Sequence, residues 1–294
     1  MDAPAFARPS PTAFVLAGGG SLGAVEVGML SALLDWNEAP AFLVGTSAGA
    51  INAAYFAGNP TPRGVQDLQR LWCSVRRKEV LPIQLRSVVT GLFGSRGYLV
   101  DSQGLRSLLE RHLRYERLEA ATMPVHIVAS DITSGREVVL SSGSVVDAVL
   151  ASTAIPGIFP PVKIGPYMLV DGGVANNAPI SVAVALGAKR VIVLPTGFTC
   201  APKQAPQGAI GRAMHAVAKL VAGQLTRDAE HWLGSHIELR IVPSLCPLAT
   251  SPYDYTAAQS LIVRAQESTR IWLEAGGLED PTIPGQLYEH AHKH

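Results

Sequence analysis

Cysteines are few in this sequence, and none is spaced for metal binding or disulfide formation. Three cysteines occur among 294 residues, with no C-x-x-C pair. An odd number of isolated thiols is typical of a reducing compartment. The chain is therefore expected to be cytoplasmic, with no disulfide framework and no zinc site.

Excess charge and long apolar runs are also lacking. The 24 basic and 23 acidic side chains nearly cancel, so no global charge favours binding to nucleic acid. No run reaches the roughly 18 apolar residues of a membrane span. The N-terminus has no basic region of the kind that precedes the apolar core of a signal peptide. We expect no signal peptide and no transmembrane segment, so that any membrane contact is peripheral.

The sequence does contain short apolar runs that alternate with segments of helical periodicity. Runs such as TAFVLAG, AFLVG, PVHIVAS and RVIVLPTG are typical of buried strands. This alternation predicts an α/β fold, a three-layer α/β/α sandwich with a mainly parallel central sheet. We predict one catalytic domain over residues 12–280, between a flexible N-terminus (1–11) and a flexible C-terminal tail (281–294).

A glycine cluster follows the first predicted strand. Gly18, Gly20 and Gly23 fit the G-x-G-x-x-G pattern of dinucleotide-binding folds. That pattern expects a carboxylate after the next strand, but none is present there, and the Lys-Ser/Thr of a Walker loop is also missing. A nucleotide-binding oxidoreductase is thus an alternative that a test of NAD or NADP binding would settle.

The next strand leads instead into the sequence Gly45-Thr46-Ser47-Ala48-Gly49. A G-x-S-x-G between an apolar strand and a helix of small residues is typical of a nucleophile elbow, which exposes the serine hydroxyl. The flanking positions must be small because strand and helix nearly touch. The alternative is a serine that only caps a helix.

Acyl transfer also requires donors for the oxyanion that forms on the substrate. Gly18, Gly19 and Gly20 lack side chains, so their backbone N–H groups can approach one oxygen. The carboxyl ends of parallel strands share one edge of a sheet, which would bring this loop beside Ser47. We predict that these glycines form an oxyanion hole.

Asp171 is the better candidate for the base that activates Ser47, and the alternative is an aspartate that only forms an Asp-Gly turn. Asp171 follows the apolar residues YMLV in the sequence YMLVDGG. The end of a strand places it at the same sheet edge as Ser47. A desolvated carboxylate there can accept the serine proton directly. A Ser-His-Asp esterase would instead use His215, His231 or His236, none of which follows a strand in a glycine-rich loop. That esterase remains an alternative.

Together, GGGSLG, GTSAG and DGG resemble the motifs of the patatin-like phospholipase family, in its bacterial form. The resemblance extends through SDITSGREVVLSSG, ASTAIPGIFPPV and DGGVANNAP, and covers roughly residues 12–195. It implies a lipid acyl hydrolase with a Ser47–Asp171 dyad and an acyl-enzyme. It also implies an acyl ester or lipid substrate and no metal or organic cofactor. The family usually has Arg or Lys where this chain has Leu22, which leaves a non-catalytic lipid-binding homologue as a further alternative.

Residues 72–100 combine five basic side chains with interspersed apolar ones. Such a mixture suits an anionic membrane interface. We predict a lid or a membrane-facing insert in this segment, with an ordinary solvated helix end as the alternative.

Overall fold

The described residues form one eight-stranded sheet covered by helices. The computed structural model describes residues 11–80, 97–197, 209–248 and 250–288. The strands are β1 (Thr12–Leu16), β2 (Phe42–Thr46), β3 (Val125–Asp131), β4 (Glu137–Leu140), β5 (Val162–Ile164), β6 (Tyr167–Asp171), β7 (Arg190–Leu194) and β8 (Glu238–Ile241). The helices are α1 (Gly23–Asp35), α2 (Ala48–Ala57), α3 (Pro62–Ser74), α4 (Arg77–Val80), α5 (Gln103–His112), α6 (Val145–Ser152), α7 (Ile180–Ala185), α8 (Ala209–Trp232) and α9 (Ala258–Glu274).

The central part of the sheet is parallel. Strand β1 pairs with β2 and β7, β2 pairs with β3, and β7 pairs with β8, all in parallel. Strands β4 and β6 are antiparallel to β3, and β5 is antiparallel to β6. Continuously apolar strands are those buried on both faces, and the predicted mainly parallel sheet is confirmed.

Two separate apolar layers lie on the two faces of the sheet. Phe14 and Leu16 of β1 face the layer that contains α1, α2, α3 and α9. Ala13 and Val15 face the layer that contains α7 and α8. Because side chains alternate across a strand, one apolar strand supplies both layers, and the three-layer sandwich is confirmed.

Strand β3 has one neighbour along one edge and two in succession along the other. Strand β2 pairs with Val125–Val128 and β6 with Ala129–Asp131, while β4 pairs with Ile127–Ser130. Since β4 overlaps both pairings, it must occupy the opposite edge. Strands β2 and β6 therefore meet head-on, and their last residues, Thr46 and Asp171, face consecutive residues of β3.

Some elements differ from the sequence prediction. The sequence does not predict the short strand β5 (Val162–Ile164). Helical periodicity predicts one helix over residues 64–78, whereas extended backbone at Val75 (ψ 130°) separates α3 from α4. Residues 81–96 of the predicted lid, residues 1–10 and residues 289–294 lie outside the described residues. Residues 281–288 include a 3-10 turn at Gly285–Leu287, where the Leu287 carbonyl accepts a hydrogen bond from Thr226.

Candidate active site

Ser47 lies at a tight turn between β2 and α2. Its backbone has φ 52° and ψ −118°, outside the regions that residues with a side chain ordinarily adopt. Such backbone conformations concentrate at functional sites, where the surrounding structure enforces them. The serine side chain is thereby held at the carboxyl end of the parallel strands.

The small residues on either side of Ser47 allow strand and helix to touch. A Cβ atom on Gly45 would lie 2.5 Å from the Gly49 carbonyl oxygen, and one on Gly49 would lie 2.2 Å from the Leu16 carbonyl oxygen. Both distances are far below van der Waals contact. The elbow therefore requires glycine at these two positions.

A buried serine of α6 supports the turn from below. The Ser47 N–H donates to Ser152 Oγ at 2.8 Å, and the Ser152 hydroxyl donates to the Val128 carbonyl at 2.6 Å. Ser152 is completely buried. It belongs to the ASTAIPG segment, where sequence reasoning assigned it no role of its own.

The Ser47 hydroxyl donates a hydrogen bond to Asp171 Oδ2 at 2.7 Å. The other carboxylate oxygen, Oδ1, accepts the Gly173 N–H at 2.8 Å. Burial raises the pKa of Asp171 to about 6, although the hydrogen bonds from Ser47 and Gly173 favour the charged form and limit the rise. At neutral pH this carboxylate is ionised and in contact with the hydroxyl.

Asp171 reaches Ser47 by a route that sequence reasoning did not foresee. The sequence pattern predicts that both residues lie on the carboxyl edge shared by parallel strands, but β6 is antiparallel to β3. The two residues are close because β2 and β6 end against each other along β3. Gly172 permits this approach, since a Cβ there would lie 2.2 Å from the Val128 carbonyl and 2.9 Å from Thr46 Cγ2.

The glycine loop lies beside the serine, as the sequence predicts. A Cβ on Gly18 would be 3.1 Å from Ser47 Cβ. However, the Gly18 N–H already donates to the Asn177 carbonyl at 3.0 Å, so it is not a free donor. For the Gly19 and Gly20 N–H groups, no acceptor is found among the described residues, and these two amides are the candidates for holding an oxyanion.

An apolar pocket opens beside Ser47. The space at this site is about 690 Å³, a volume that includes solvent at its open side. Gly20, Ser47 and Ala48 form one end, and the described walls come mainly from α2, α3, α5 and the segment 252–255. Apolar side chains dominate these walls, among them Ile51, Leu71, Trp72, Val75, Leu108 and Phe159. Such a lining suits a hydrocarbon chain.

A buried polar network fixes one wall of this pocket. The Trp72 Nε1–H donates to Asn52 Oδ1 at 2.7 Å, and Asn52 Nδ2 donates to Glu26 Oε2 at 2.7 Å and to the Gly23 carbonyl at 2.9 Å. Burial raises the pKa of Glu26 well above its ordinary value. The Trp72 ring also stacks on Tyr255, with centroids 6.5 Å apart. Sequence reasoning missed this network, although Asn52 is the polar exception in a helix of small apolar residues.

Gly23, the last glycine of the motif, allows close packing of α1 against Trp72 and Ala48. A Cβ on Gly23 would lie 2.8 Å from the Trp72 ring and 2.9 Å from Ala48 Cβ, so this glycine leaves room for the indole. Leu22, at the position where a basic residue is usual, is buried in the apolar layer. No cation is supplied from that position.

Of the three histidines of the alternative triad, the two with described side chains are not found at the serine. His231 and His236 contact the Trp232 ring, at centroid distances of 5.1 and 6.3 Å. His215 lies in α8, and its side chain is outside the described ones. No described histidine lines the pocket or bonds to Ser47 or Asp171. Across the described ranges, no cluster of three metal-ligating side chains occurs.

Sequence comparison places this arrangement in a known family. Residues 14–184, more than half of the chain, match the family model described as patatin-like phospholipase. The chain therefore belongs to the patatin-like phospholipase family.

Curated relatives of this chain are much longer proteins. Rat (Rattus norvegicus) patatin-like phospholipase domain-containing protein 7 is 31% identical over 189 residues, which are 63% of this chain and 13% of the rat protein. An uncharacterized NTE family protein of Mycobacterium tuberculosis is 29% identical over 191 residues, or 65% of this chain and 31% of that protein. The chain thus matches only a minor part of these relatives.

A solved structure shows the same fold at low sequence identity. Human GIVD cytosolic phospholipase A2, in complex with methyl gamma-linolenyl fluorophosphonate inhibitor and terbium chloride, superposes with a TM-score of 0.52 at 11% identity. The match covers 92% of this chain and 59% of the human chain.

Within the described segments, no helix combines the length and apolar character needed to cross a membrane.

Proposed function

We propose that this protein is a serine lipid acyl hydrolase that uses a Ser47–Asp171 dyad. The observation that carries the proposal is the 2.7 Å hydrogen bond from the Ser47 hydroxyl to the Asp171 carboxylate, beside an apolar pocket. Membership of the patatin-like phospholipase family supports the same chemistry.

In the acylation step, Ser47 Oγ attacks the carbonyl carbon of a lipid ester while its proton passes to Asp171 Oδ2. The carbonyl oxygen becomes an oxyanion and accepts hydrogen bonds from the Gly19 and Gly20 N–H groups. The tetrahedral intermediate then collapses, the bond to the alcohol oxygen breaks, and Asp171 returns the proton to that oxygen. The product is an acyl-enzyme on Ser47.

Deacylation repeats these steps with water as the nucleophile. Asp171 accepts a proton from a water molecule that attacks the acyl carbonyl. Collapse of the second tetrahedral intermediate returns the proton to Ser47 and releases the fatty acid. A carboxylate with a pKa near 6 is a better base than an exposed aspartate, because base strength rises with pKa.

The pocket supports an acyl chain as the part of the substrate that the protein binds. Its described lining is almost entirely apolar, and each buried methylene contributes about 0.8 kcal/mol of transfer free energy. Arg77 and Lys78 are exposed on α4, next to Val80 of the pocket wall. We propose peripheral contact with a membrane surface through this side, in a cytoplasmic protein.

Substitution of the dyad tests the proposal. Ser47→Ala and Asp171→Asn are each expected to lose nearly all hydrolysis of a p-nitrophenyl acyl ester. The matched control replaces His215, His231 and His236 with alanine and is expected to keep wild-type activity. Full activity of either dyad variant, or an inactive histidine control that is still folded, would overturn the assignment.

Covalent labelling separates the enzyme from a lipid-binding homologue without catalytic activity. A fluorophosphonate probe should modify Ser47, as located by peptide mass spectrometry, and should leave Ser47→Ala unlabelled. Wild-type protein that binds lipid but takes up no probe would support the non-catalytic alternative. Lipid profiling with the wild type and with Ser47→Ala would then identify the ester that is cleaved.

A further inference from the structure

Two buried side chains from outside the glycine loop bind the same backbone carbonyl within it. Thr196 Oγ1 donates to the Gly18 carbonyl oxygen at 2.8 Å, and Asn177 Nδ2 donates to it at 3.3 Å. Thr196 is 1% exposed and Asn177 is 3% exposed. The Gly18 carbonyl is therefore held firmly in a site that solvent does not reach.

This restraint also fixes the direction of the next N–H group. In a planar trans peptide, the carbonyl of one residue and the N–H of the following residue point in opposite directions. With the Gly18 carbonyl turned towards Thr196 and Asn177, the Gly19 N–H is turned away from them. No described residue accepts its hydrogen bond.

The loop needs such an external restraint because its own residues cannot provide one. Glycine adopts a wide range of backbone conformations at little cost, and three glycines in a row could rotate the peptide plane between Gly18 and Gly19. Rotation would break two hydrogen bonds and leave a buried carbonyl unpaired, which costs about 1–3 kcal/mol.

Close packing also limits rotation of the peptide between Gly18 and Gly19. A Cβ on Gly19 would lie 2.2 Å from Thr196 Oγ1, and one on Gly18 would lie 2.3 Å from Asn177 Oδ1. The backbone of Asn177 is itself held, because its backbone N–H donates to Gln224 Oε1 of α8 at 3.2 Å. The peptide is thus in contact with both side chains, and the main chain that carries one of them is bonded to a helix on the opposite face of the sheet.

We propose that Thr196 is a positioning residue for oxyanion stabilisation. It acts through the peptide between Gly18 and Gly19, with Asn177 as the second restraint, and directs the Gly19 N–H towards the oxyanion on the substrate. Thr196 lies beyond residues 14–184, which match the family model. The inference rests on the proposed hydrolase function.

Two substitutions at Thr196 test this role. Thr196→Val keeps the shape of the side chain and removes the hydroxyl, whereas Thr196→Ser keeps the hydroxyl. Removal of an oxyanion donor typically costs 10²–10³-fold in kcat, and loss of one of two restraints should cost less. We expect Thr196→Val to lower kcat by about 10- to 100-fold with KM within about twofold, and Thr196→Ser to stay within about threefold of wild type.

Steady-state kinetics on a p-nitrophenyl ester, the rate of fluorophosphonate labelling and the melting temperature are measured for each variant. A valine variant with wild-type kcat would overturn the proposal. Equal losses in the valine and serine variants, or a rise in KM alone, would do the same. If Thr196→Val does not fold, Thr196→Ala is compared with Thr196→Ser in the same way.

Ser47→Ala in the same assay distinguishes failure of the proposed hydrolase function from failure of the positioning role of Thr196. Hydrolysis by Ser47→Ala would overturn the proposed function itself. An inactive Ser47→Ala beside a fully active Thr196→Val would overturn only the positioning role.

Discussion

Asp171 divides its two carboxylate oxygens between the Ser47 hydroxyl, at 2.7 Å, and the Gly173 N–H, at 2.8 Å. The second bond orients the carboxylate, so that Oδ2 faces the serine. Burial of the same group raises its pKa to about 6. Orientation and basicity are therefore set by separate features of one side chain.

The rate of hydrolysis is expected to fall at acid pH. Only ionised Asp171 can accept the serine proton, so kcat/KM should be constant above the pKa of about 6 and fall about tenfold for each pH unit below it. The measurement is fatty-acid release, quantified by chromatography, between pH 4.5 and 8.5. A flat profile from pH 5 to 8 would contradict the role of Asp171.

Asp171 should also lower the stability of the folded protein at neutral pH. Its folded pKa is raised from 3.8 to about 6, so the folded state binds the proton more tightly than the unfolded state. Stability from this group is fully present below pH 3.8 and is lost as pH rises through about 6. The difference corresponds to about 3 kcal/mol.

Asp171→Asn removes this pH dependence and is expected to melt at a higher temperature than wild type at pH 8. The gain should shrink towards pH 4, because wild-type Asp171 is then protonated. The difference in melting temperature between the variant and wild type is measured at both pH values by circular dichroism. Equal differences at the two pH values would show that the substitution acts through packing rather than charge.

Gly49→Ala should destabilise the fold severely. The added methyl group would lie 2.2 Å from the Leu16 carbonyl oxygen, so α2 would have to move away from β1. Overpacking of this kind costs about 1–3 kcal/mol or more. Gly285→Ala is the matched control, since a Cβ there meets nothing within 4 Å. Urea unfolding of both variants compares the two sites, and similar midpoints would refute the close contact.

Glu26→Gln tests the network behind Trp72. Burial raises the pKa of Glu26, so stability from its protonated form is lost as pH rises through that raised pKa. Glutamine keeps an acceptor for Asn52 and carries no charge. The variant should therefore become more stable than wild type as the solution is made more alkaline.

Glu26→Ala is the companion variant, and it should lose about 1–3 kcal/mol at every pH because one of the two N–H groups of the Asn52 amide is left unpaired. Free energies of unfolding from urea titrations at several pH values measure both. Loss of stability in Glu26→Gln equal to that in Glu26→Ala would contradict a neutral carboxyl at this position.

Partial filling of the pocket should shorten the acyl chains that are accepted. Leu108 lines the pocket, and Leu108→Trp is expected to reduce kcat/KM for a 16-carbon ester about tenfold more than for a 4-carbon ester. Leu186→Trp, at a site 41% exposed, is the control and should leave the ratio unchanged. A Leu108 variant with the wild-type ratio would place the acyl chain elsewhere.

The parallel strands, most of the helices and the turn at Ser47 were accessible from the sequence because local patterns encode them. Apolar runs marked the parallel strands, and Gly45 and Gly49 around Ser47 marked the turn. The direction of β6 was not accessible, since the run YMLVD has the same composition in either orientation. The proximity of Asp171 to Ser47 was predicted correctly, but from the wrong premise that β6 is parallel to β3.

The supports of the site were also missed, for a different reason. Ser152, Asn177 and Thr196 contact the elbow and the glycine loop from segments 105 to 178 residues away along the chain. No periodicity or spacing connects such positions in a single sequence. The hydrogen bond that occupies the Gly18 N–H could likewise be found only from the folded chain.

Because β2 and β6 meet head-on, strand pairing places Asp171 beside Ser47, and the length of the chain between the two residues does not. Since Ala129 pairs with Asp171, an insertion in the exposed turn between β3 and β4, at residues 132–136, can lengthen the polypeptide without displacing the carboxylate. A one-residue slip of β6 along β3 would instead turn every side chain of β6 to the opposite face. The register of β6 against β3, rather than the length of the chain between them, therefore fixes where the carboxylate lies.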